Sequence, residues 1–175
     1  VVATSGDTVV EVLKPTSQEE RTIPFDFSNP PIIRAFEPLV TTYGYPQYRE
    51  LDPTPLIALT FPLIFGLMFG DVGHGLLLVV LGALLLSRKI PSLKSFASMG
   101  GIVVTCGITA MIFGFLYGSL FGFEDLFPAL WLRPLERTTD ILLVSVGFGV
   151  MVLTLGRVYN IIDAVRGRRW GEVLF

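Results

Sequence analysis

Charged residues are scarce in this chain of 175 residues: they make up 16% of it, whereas about 25% is ordinary for soluble domains. Three long stretches, 53–87, 95–123 and 141–156, contain a single charged residue between them, Asp71. A soluble helix lacks charge only along a stripe, and not over stretches of this length. The composition therefore predicts an integral membrane protein and excludes most classes of soluble enzyme.

Other shortages narrow the function further. The chain has one cysteine, Cys106, and one histidine, so a disulfide framework or a zinc cluster cannot be built, and we expect no metal and no cofactor. The net charge of −2 makes a nucleic-acid partner unexpected. The sequence has neither a phosphate-binding glycine loop with a lysine nor a serine–histidine arrangement, so we expect no catalytic activity of its own. Because it opens on Val-Val-Ala-Thr, with neither an initiator methionine nor a signal peptide, we expect a part of a longer protein.

The chain divides by composition into two parts. Residues 1–52 are polar and carry many charges, and we interpret them as a soluble segment too small to carry its own core. Within them the pattern predicts a short strand over 8–13 and a helix over 32–43 that leads towards the membrane. Residues 53–175 are the predicted membrane domain.

The membrane domain is expected to be all-α and polytopic, with four transmembrane helices. A single helix over 54–87 would be about 51 Å long, far more than a hydrocarbon core of about 30 Å. The run Gly70-Asp71-Val72-Gly73 splits this stretch into a tight helical hairpin whose tip is expected at membrane depth, buried in protein. The four helices are expected at about 54–69, 72–87, 95–119 and 140–162.

Basic residues indicate the orientation. They concentrate in the connection between the second and third helices and after the fourth, and such residues favour the cytoplasmic side. Both ends of the chain are therefore expected in the cytoplasm. The residues concerned are Arg88, Lys89, Lys94, Arg166, Arg168 and Arg169.

Asp71 and His74 are the only titratable groups in the long apolar hairpin, and two interpretations stay open. Ionisable groups inside a membrane are usually functional, so the pair could relay protons. The alternative is structural and is favoured: the carboxylate of Asp71 would cap the second helix, and His74 would bond to a neighbouring helix.

Other candidate residues have weaker support. Glu124 and Asp125, in the loop before the fourth helix, are candidates for a channel mouth, although solvated loop charges are commoner. Arg157 interrupts the fourth helix and is expected to extend to the membrane interface. Small residues that recur every four positions predict tight helix packing. These small residues are Gly66, Gly70, Ala110, Gly114, Gly118 and Gly122.

The sequence resembles one known family over roughly residues 29–175. The segment 34–78 is similar to the first membrane hairpin of the large membrane stator subunit of V-type and archaeal A-type rotary ATPases. This subunit is called a in eukaryotes and I in prokaryotes, and the short loops here resemble the prokaryotic form. The strings that carry the likeness are DPTP (52–55), FGDVGHG (69–75), FLYG (115–118) and NIIDA (160–164).

The resemblance implies a non-catalytic subunit of an ATP-driven or ATP-synthesising complex that translocates protons, or sodium in some members. Such a subunit sits in the prokaryotic plasma membrane, holds the rotating proteolipid ring (c-, K- or L-type subunits) and forms the ion path. It also implies peripheral-stalk subunits and a soluble ATPase head as partners. The head would be reached through a cytoplasmic arm that is missing here, apart from a remnant in residues 1–52. The family's essential arginine lies on a later helix, expected beyond Phe175, so these four helices are expected to be a platform for the channel.

Two other classes of function stay open. One is a membrane scaffold or assembly protein that carries no ions. The other is half of a secondary transporter built from repeats, although the turn at 70–75 has no counterpart in the second half of the chain.

Overall fold

The computed structural model describes residues 2–5, 8–11, 27–44, 51–89, 91–124 and 128–167. Near the N-terminus β1 (Val2–Ser5) pairs with β2 (Thr8–Glu11) in an antiparallel hairpin. The strand predicted over 8–13 overlaps β2, and its last two residues lie outside the described ranges. All other regular elements of the described chain are helical.

Two short helices precede the apolar part. They are α1 (Pro31–Arg34) and α2 (Glu37–Tyr43). The prediction of one continuous helix over 32–43 is therefore wrong, because the chain turns at Ala35 and Phe36.

Packing explains this break. Phe36 is only 1% exposed and forms a buried cluster with Ile102 and Cys106. Ala35 comes so close to Gly101 that a Cβ added to the glycine would lie 2.5 Å from the Cβ of Ala35. The turn thus places the ring of Phe36 in a cluster with residues of later helices.

The apolar hairpin consists of α3 (Thr54–Met68) and α4 (Val72–Ser87), whose bounds lie within one residue of those predicted. A proline occupies the first turn of α3, where its missing N–H costs no hydrogen bond. Arg88 ends α4 in a left-handed conformation (φ 52°).

The third predicted helix differs from the structure at both ends. Residues Pro91–Met99 form a 3₁₀ segment, and the α-helix itself, α5, covers Gly100–Tyr117 instead of 95–119. Gly118 stops it with a left-handed backbone (φ 75°), the conformation that glycine adopts without a steric penalty. The last helix, α6 (Thr138–Gly167), is longer at both ends than the predicted 140–162.

α5 is the centre of the bundle, since both α4 and α3 pack on it. Among the described residues, two helical segments are long and apolar enough to cross a membrane, Lys94–Tyr117 and Thr138–Val165, while α3 and α4 are shorter apolar helices. The apolar stretch of α6 is not buried by the rest of the described chain.

Candidate functional site

Asp71 lies in the turn that joins α3 to α4. Its backbone is extended (φ −148°, ψ 127°), and its Oδ1 accepts a 2.8 Å hydrogen bond from the backbone N–H of His74. This is the N-cap geometry that aspartate favours, and its negative charge also suits the positive end of the helix dipole. The side chain therefore begins α4.

The segment that follows α5 folds over the same carboxylate. Oδ2 accepts hydrogen bonds of 2.8 Å from the hydroxyl of Ser119 and from the N–H of Gly122, and Oδ1 accepts one of 3.0 Å from the N–H of Phe121. In return the carbonyl of Ser119 accepts a 3.0 Å bond from the N–H of Val72. Asp71 thus joins two turns that lie 48 to 51 residues apart. We call Asp71, His74, Ser119, Phe121 and Gly122 the Asp71 cluster.

The backbone after α5 is shaped to present these donors. Phe121 and Gly122 both have positive φ, at 51° and 80°. A bulky residue in this region is uncommon and persists only where its surroundings hold it. Successive N–H groups in such a turn form a concave nest for an anion, and here the carboxylate of Asp71 fills it.

His74 completes the cluster. Its Nδ1 lies 3.0 Å from Oδ1 of Asp71, while its side chain remains 46% exposed. The ring makes edge-on contacts with Phe69 and Phe121, at centroid distances of 5.7 and 5.3 Å. To donate to the carboxylate, Nδ1 must carry a hydrogen, which both the imidazolium and one neutral tautomer provide.

The carboxylate of Asp71 has no unused acceptor position. Three donors approach Oδ1 and two approach Oδ2, whereas an ionised carboxylate offers about four lone-pair sites. The residue is 7% exposed. Hydrogen bonds of this kind stabilise the ionised form of a carboxyl group, so the arrangement is suited to holding the two turns together.

A second link connects α3 with the end of α5. The hydroxyl of Tyr117 donates a 3.0 Å hydrogen bond to the carbonyl of Leu67, one of the last carbonyls of α3, which lack a partner within the helix. The rings of Tyr117 and Trp131 stack with their centroids 6.2 Å apart. The backbone N–H of Trp131 donates a hydrogen bond to the carbonyl of Leu116. The loop before α6 is thereby attached to α5.

We expect Tyr117→Phe to lower the free energy of unfolding by about 1 kcal/mol, since it leaves the Leu67 carbonyl without its donor. The measurement is unfolding by sodium dodecyl sulfate in mixed micelles. Ser145→Ala, which removes an exposed hydroxyl from α6, is the control and should leave the midpoint unchanged. Equal midpoints for both variants would contradict the prediction.

Glycines bring α4 and α5 into backbone contact. A Cβ added at Gly75 would lie 2.8 Å from the carbonyl oxygen of Gly107, and one added at Gly107 would lie 2.7 Å from that of Gly75. Gly82 and Gly100 face each other in the same way, at 2.8 and 3.0 Å. A real Cβ does not fit at such distances, so the close approach depends on these four residues.

The same packing extends to the Asp71 turn. A Cβ at Gly114 would lie 2.4 Å from the backbone nitrogen of Val72. Gly66 and Gly70, at the end of the hairpin's first arm, are equally crowded by α5. The Asp71 cluster therefore rests on glycines that allow three helices to converge.

The residues predicted to pack helices occupy two kinds of position in the structure. Gly66, Gly70 and Gly114 lie in these contacts, and Ala110 is fully buried on α5. For Gly118 and Gly122 the prediction of helix packing is wrong, because α5 ends before them; they supply left-handed turns instead. The prediction missed Gly75, Gly82, Gly100 and Gly107.

A second polar group joins the opposite end of α3 to α6. Asp52 accepts hydrogen bonds from the Thr54 N–H (2.8 Å) and the Asn29 side chain (2.6 Å), and its carbonyl accepts one of 2.6 Å from the Tyr159 hydroxyl. Oδ1 of Asp163 accepts a 2.9 Å bond from the N–H of residue 51. We call this group the Asp52 junction.

Among the described residues, the other candidates belong to neither the Asp71 cluster nor the Asp52 junction. Glu124 is half-buried, and Asp125 lies outside the described residues. Arg157 is exposed on α6. Within the described ranges no three histidine, cysteine or acidic side chains group as metal ligands would.

Comparison with known proteins identifies the family. Residues 1–162 match the model of the V-type ATPase 116kDa subunit family. The chain belongs to this family. The resemblance stated from the motif strings is confirmed.

Individual relatives are similar to parts of this chain. "V-type ATP synthase subunit I 2" of Treponema pallidum is 32% identical over 167 residues, covering 83% of this chain and 37% of the relative. "A-type ATP synthase subunit I" of Archaeoglobus fulgidus is 44% identical over 113 residues, 65% of this chain and 16% of the relative. "V-type proton ATPase 116 kDa subunit a 3" of Caenorhabditis elegans is 28% identical over 144 residues, which cover 77% of this chain and 16% of the relative. The chain thus spans well under half the length of these relatives.

Proposed function

We propose that this chain is the first membrane part of the stator subunit of a V/A-type rotary ATPase or ATP synthase. Membership of the family carries the proposal, because the relatives are named as subunits of proton ATPases and ATP synthases. The subunit braces the proteolipid ring and helps to form the proton path, while ATP is handled by other subunits. The ring, the peripheral stalk and the soluble ATPase head are its proposed partners.

The proposed topology has four membrane-inserted helices, with both ends of the chain in the cytoplasm of a prokaryotic cell. It is supported by the apolar lengths of α5 and α6 and by Arg88, Lys89 and Lys94 at one end of the bundle. With 15 and 16 residues, α3 and α4 are about 23 Å long, shorter than the hydrocarbon core. Their turn is therefore placed inside the bilayer, where every polar group needs a protein partner.

Within this topology we assign Asp71 a fastening role. At membrane depth an ionised carboxylate is costly unless its oxygens are hydrogen-bonded or its charge is paired, and the Asp71 cluster supplies five hydrogen-bond donors to it. A relay would have to release some of these donors each time it took up a proton. The saturation of the carboxylate supports attachment of α5 to the hairpin over proton transfer.

We propose that the surface of α6 contacts other helices of the rotary complex. Its middle is separated from α3 by an apolar cleft of about 670 Å³. The helix is attached near its two ends, through Tyr159 and Asp163 at one and the loop containing Trp131 at the other. A helix with so much uncovered apolar surface suits a platform against which further helices pack.

Co-purification tests the proposal. The full-length protein, tagged and extracted in mild detergent, should bring down the proteolipid ring subunit and the soluble ATPase head. Recovery without either would overturn the stator assignment and leave a scaffold that carries no ions. Disruption of the ring with a harsher detergent provides the control, since binding should then disappear.

A further inference from the structure

A pocket of about 590 Å³ lies at the end of the bundle that holds the basic residues. It opens between α1 and α2 on one side, and the end of α4, the 3₁₀ segment and the start of α5 on the other. Its polar lining is supplied by Arg34, Glu37, Thr41 and Ser98, and Leu86 is among its apolar lining. The Asp71 cluster lies at the far end of α4, so this is a separate site.

Positive charge dominates the surroundings of this pocket. Arg34 is exposed, and so are Arg88, two residues after the lining residue Leu86, and Lys94, three residues before another, Ala97. The ion pairs found among the described residues involve none of these basic side chains. Within the described part of the chain, no ion pair neutralises them.

Glu37 is the acidic group in the pocket, and it is engaged elsewhere. It is half-buried, and its Oε1 accepts a 3.2 Å hydrogen bond from Asn29, whose amide also donates to Asp52. Its carboxylate is thus tied to the Asp52 junction. The negative charge of Glu37 remains in the pocket, but the three basic side chains Arg34, Arg88 and Lys94 outnumber it.

One exposed apolar side chain, Leu86, lines the pocket, and two others, Phe96 and Met99, lie next in sequence to its lining residues Ala97 and Ser98. Leu86, Phe96 and Met99 are 52%, 54% and 44% exposed. In the proposed topology they lie where α4 and α5 reach the cytoplasmic interface of the bilayer. A surface with cations beside exposed apolar groups matches a molecule that has a charged head and an apolar tail.

We propose that this pocket binds the headgroup of an anionic phospholipid of the cytoplasmic leaflet. The guanidinium group of Arg34 contacts the phosphate, since its planar fork matches phosphate oxygens. Arg88 and Lys94 add charge, and the acyl chains lie along Leu86 and Phe96. The inference rests on the proposed topology, and such a lipid would hold α1 and α2 against the bundle.

Lipid titration of the purified full-length protein tests this site. We expect phosphatidylglycerol in mixed micelles to raise the apparent melting temperature in a saturable way, because a ligand that binds only the folded state stabilises it. Phosphatidylcholine should give no such rise. Arg34→Gln should weaken the apparent affinity for phosphatidylglycerol about fivefold, and the Arg34→Gln/Lys94→Gln pair more, consistent with the contribution of each basic residue near an anionic surface.

Two control variants separate the site from general charge effects. Arg137→Gln removes an exposed arginine from the opposite end of the bundle and should leave the affinity unchanged. Glu37→Gln removes the negative charge from the pocket and should not weaken it. An equal response to both lipids, or equal losses in Arg34→Gln and Arg137→Gln, would overturn the proposal.

Soluble glycerol phosphate distinguishes a lipid from a free anion. If it saturates the site as well as phosphatidylglycerol does, the pocket binds phosphate from solution and the lipid assignment is wrong. Failure of lipid binding would not affect co-purification with the proteolipid ring, so the two proposals fail independently.

Discussion

Gly114→Ala is expected to lower the free energy of unfolding by about 3 kcal/mol, in the range of severe overpacking, and to reduce the amount of protein in the membrane. The added Cβ would lie 2.4 Å from the backbone nitrogen of Val72 and 2.6 Å from the carbonyl carbon of Asp71. Backbone atoms cannot rotate away as a flexible side chain can, so α5 must shift. That shift would move the turn after α5 away from the Asp71 carboxylate.

The sign of the effect makes this a sharp test. Alanine is favoured over glycine inside a helix by about 1 kcal/mol, so an uncrowded position should gain stability from the same change. Gly147→Ala in the 175-residue chain supplies this control, since no described residue lies within 4 Å of a Cβ added at this position of α6. Both variants can be compared by detergent unfolding and by their level in isolated membranes. Stabilisation by Gly114→Ala would show that the contact between α5 and the hairpin turn is loose.

Local signals were sufficient for the hairpin. Prolines at 53 and 55 flank the start of α3, and the Gly-Asp pair at 70–71 supplies both a break and an N-cap. These features act within a few residues of where they stand. The bounds of α3 and α4 could therefore be predicted closely from the sequence.

Tertiary packing decided what sequence periodicity could not. The apolar spacing of 32–43 fits one helix, but burial of Phe36 beside Ile102 outweighs it. Likewise the apolar residues before α5 fit an α-helix, while the chain there winds as a 3₁₀ segment. An apolar pattern identifies a buried face, but it does not specify whether that face belongs to an α-helix or to a 3₁₀ helix.

The glycine contacts between α4 and α5 follow a seven-residue repeat that is visible in the sequence. Gly100, Gly107 and Gly114 recur every seven residues on α5, as Gly75 and Gly82 do on α4. Seven residues make almost two helical turns, so each set lies along one helix face. The four-residue repeat that predicts helix packing extends past the end of α5. Spacing alone does not indicate the positive φ of Gly118, which ends the helix.

The cap at Asp71 is local, whereas its other partners are not. Ser119, Phe121 and Gly122 lie about fifty residues later, in a turn with left-handed residues. No periodicity links such a turn to a particular side chain. The sequence therefore indicated the residue and one of its bonds, and only the fold brings the remaining donors together.

Asp71→Ala is expected to lower the free energy of unfolding by about 4 kcal/mol. It removes the N-cap of α4, worth about 1 kcal/mol. It also leaves the buried hydroxyl of Ser119 and the partly buried N–H groups of Phe121 and Gly122 without their acceptor, at about 1–3 kcal/mol for each group that finds no substitute. Asp71→Asn keeps one acceptor oxygen but places an NH₂ group against the other donors, so its cost should be intermediate. Asp140→Asn, at an exposed surface ion pair, is the control and should change stability by less than about 1 kcal/mol.

Proton transport by the reconstituted complex decides between fastening and relay. If Asp71 fastens the two turns, Asp71→Asn should reduce the number of assembled complexes, while each complex that does assemble transports protons at the normal rate. His74→Gln should behave in the same way with a smaller loss, since the His74 ring is half exposed and adds one donor among five. A relay requires the opposite pattern, because a carboxylate that carries protons cannot be replaced by an amide that never ionises. Normal assembly with transport abolished across the pH range would therefore overturn the fastening role and assign Asp71 to the proton path.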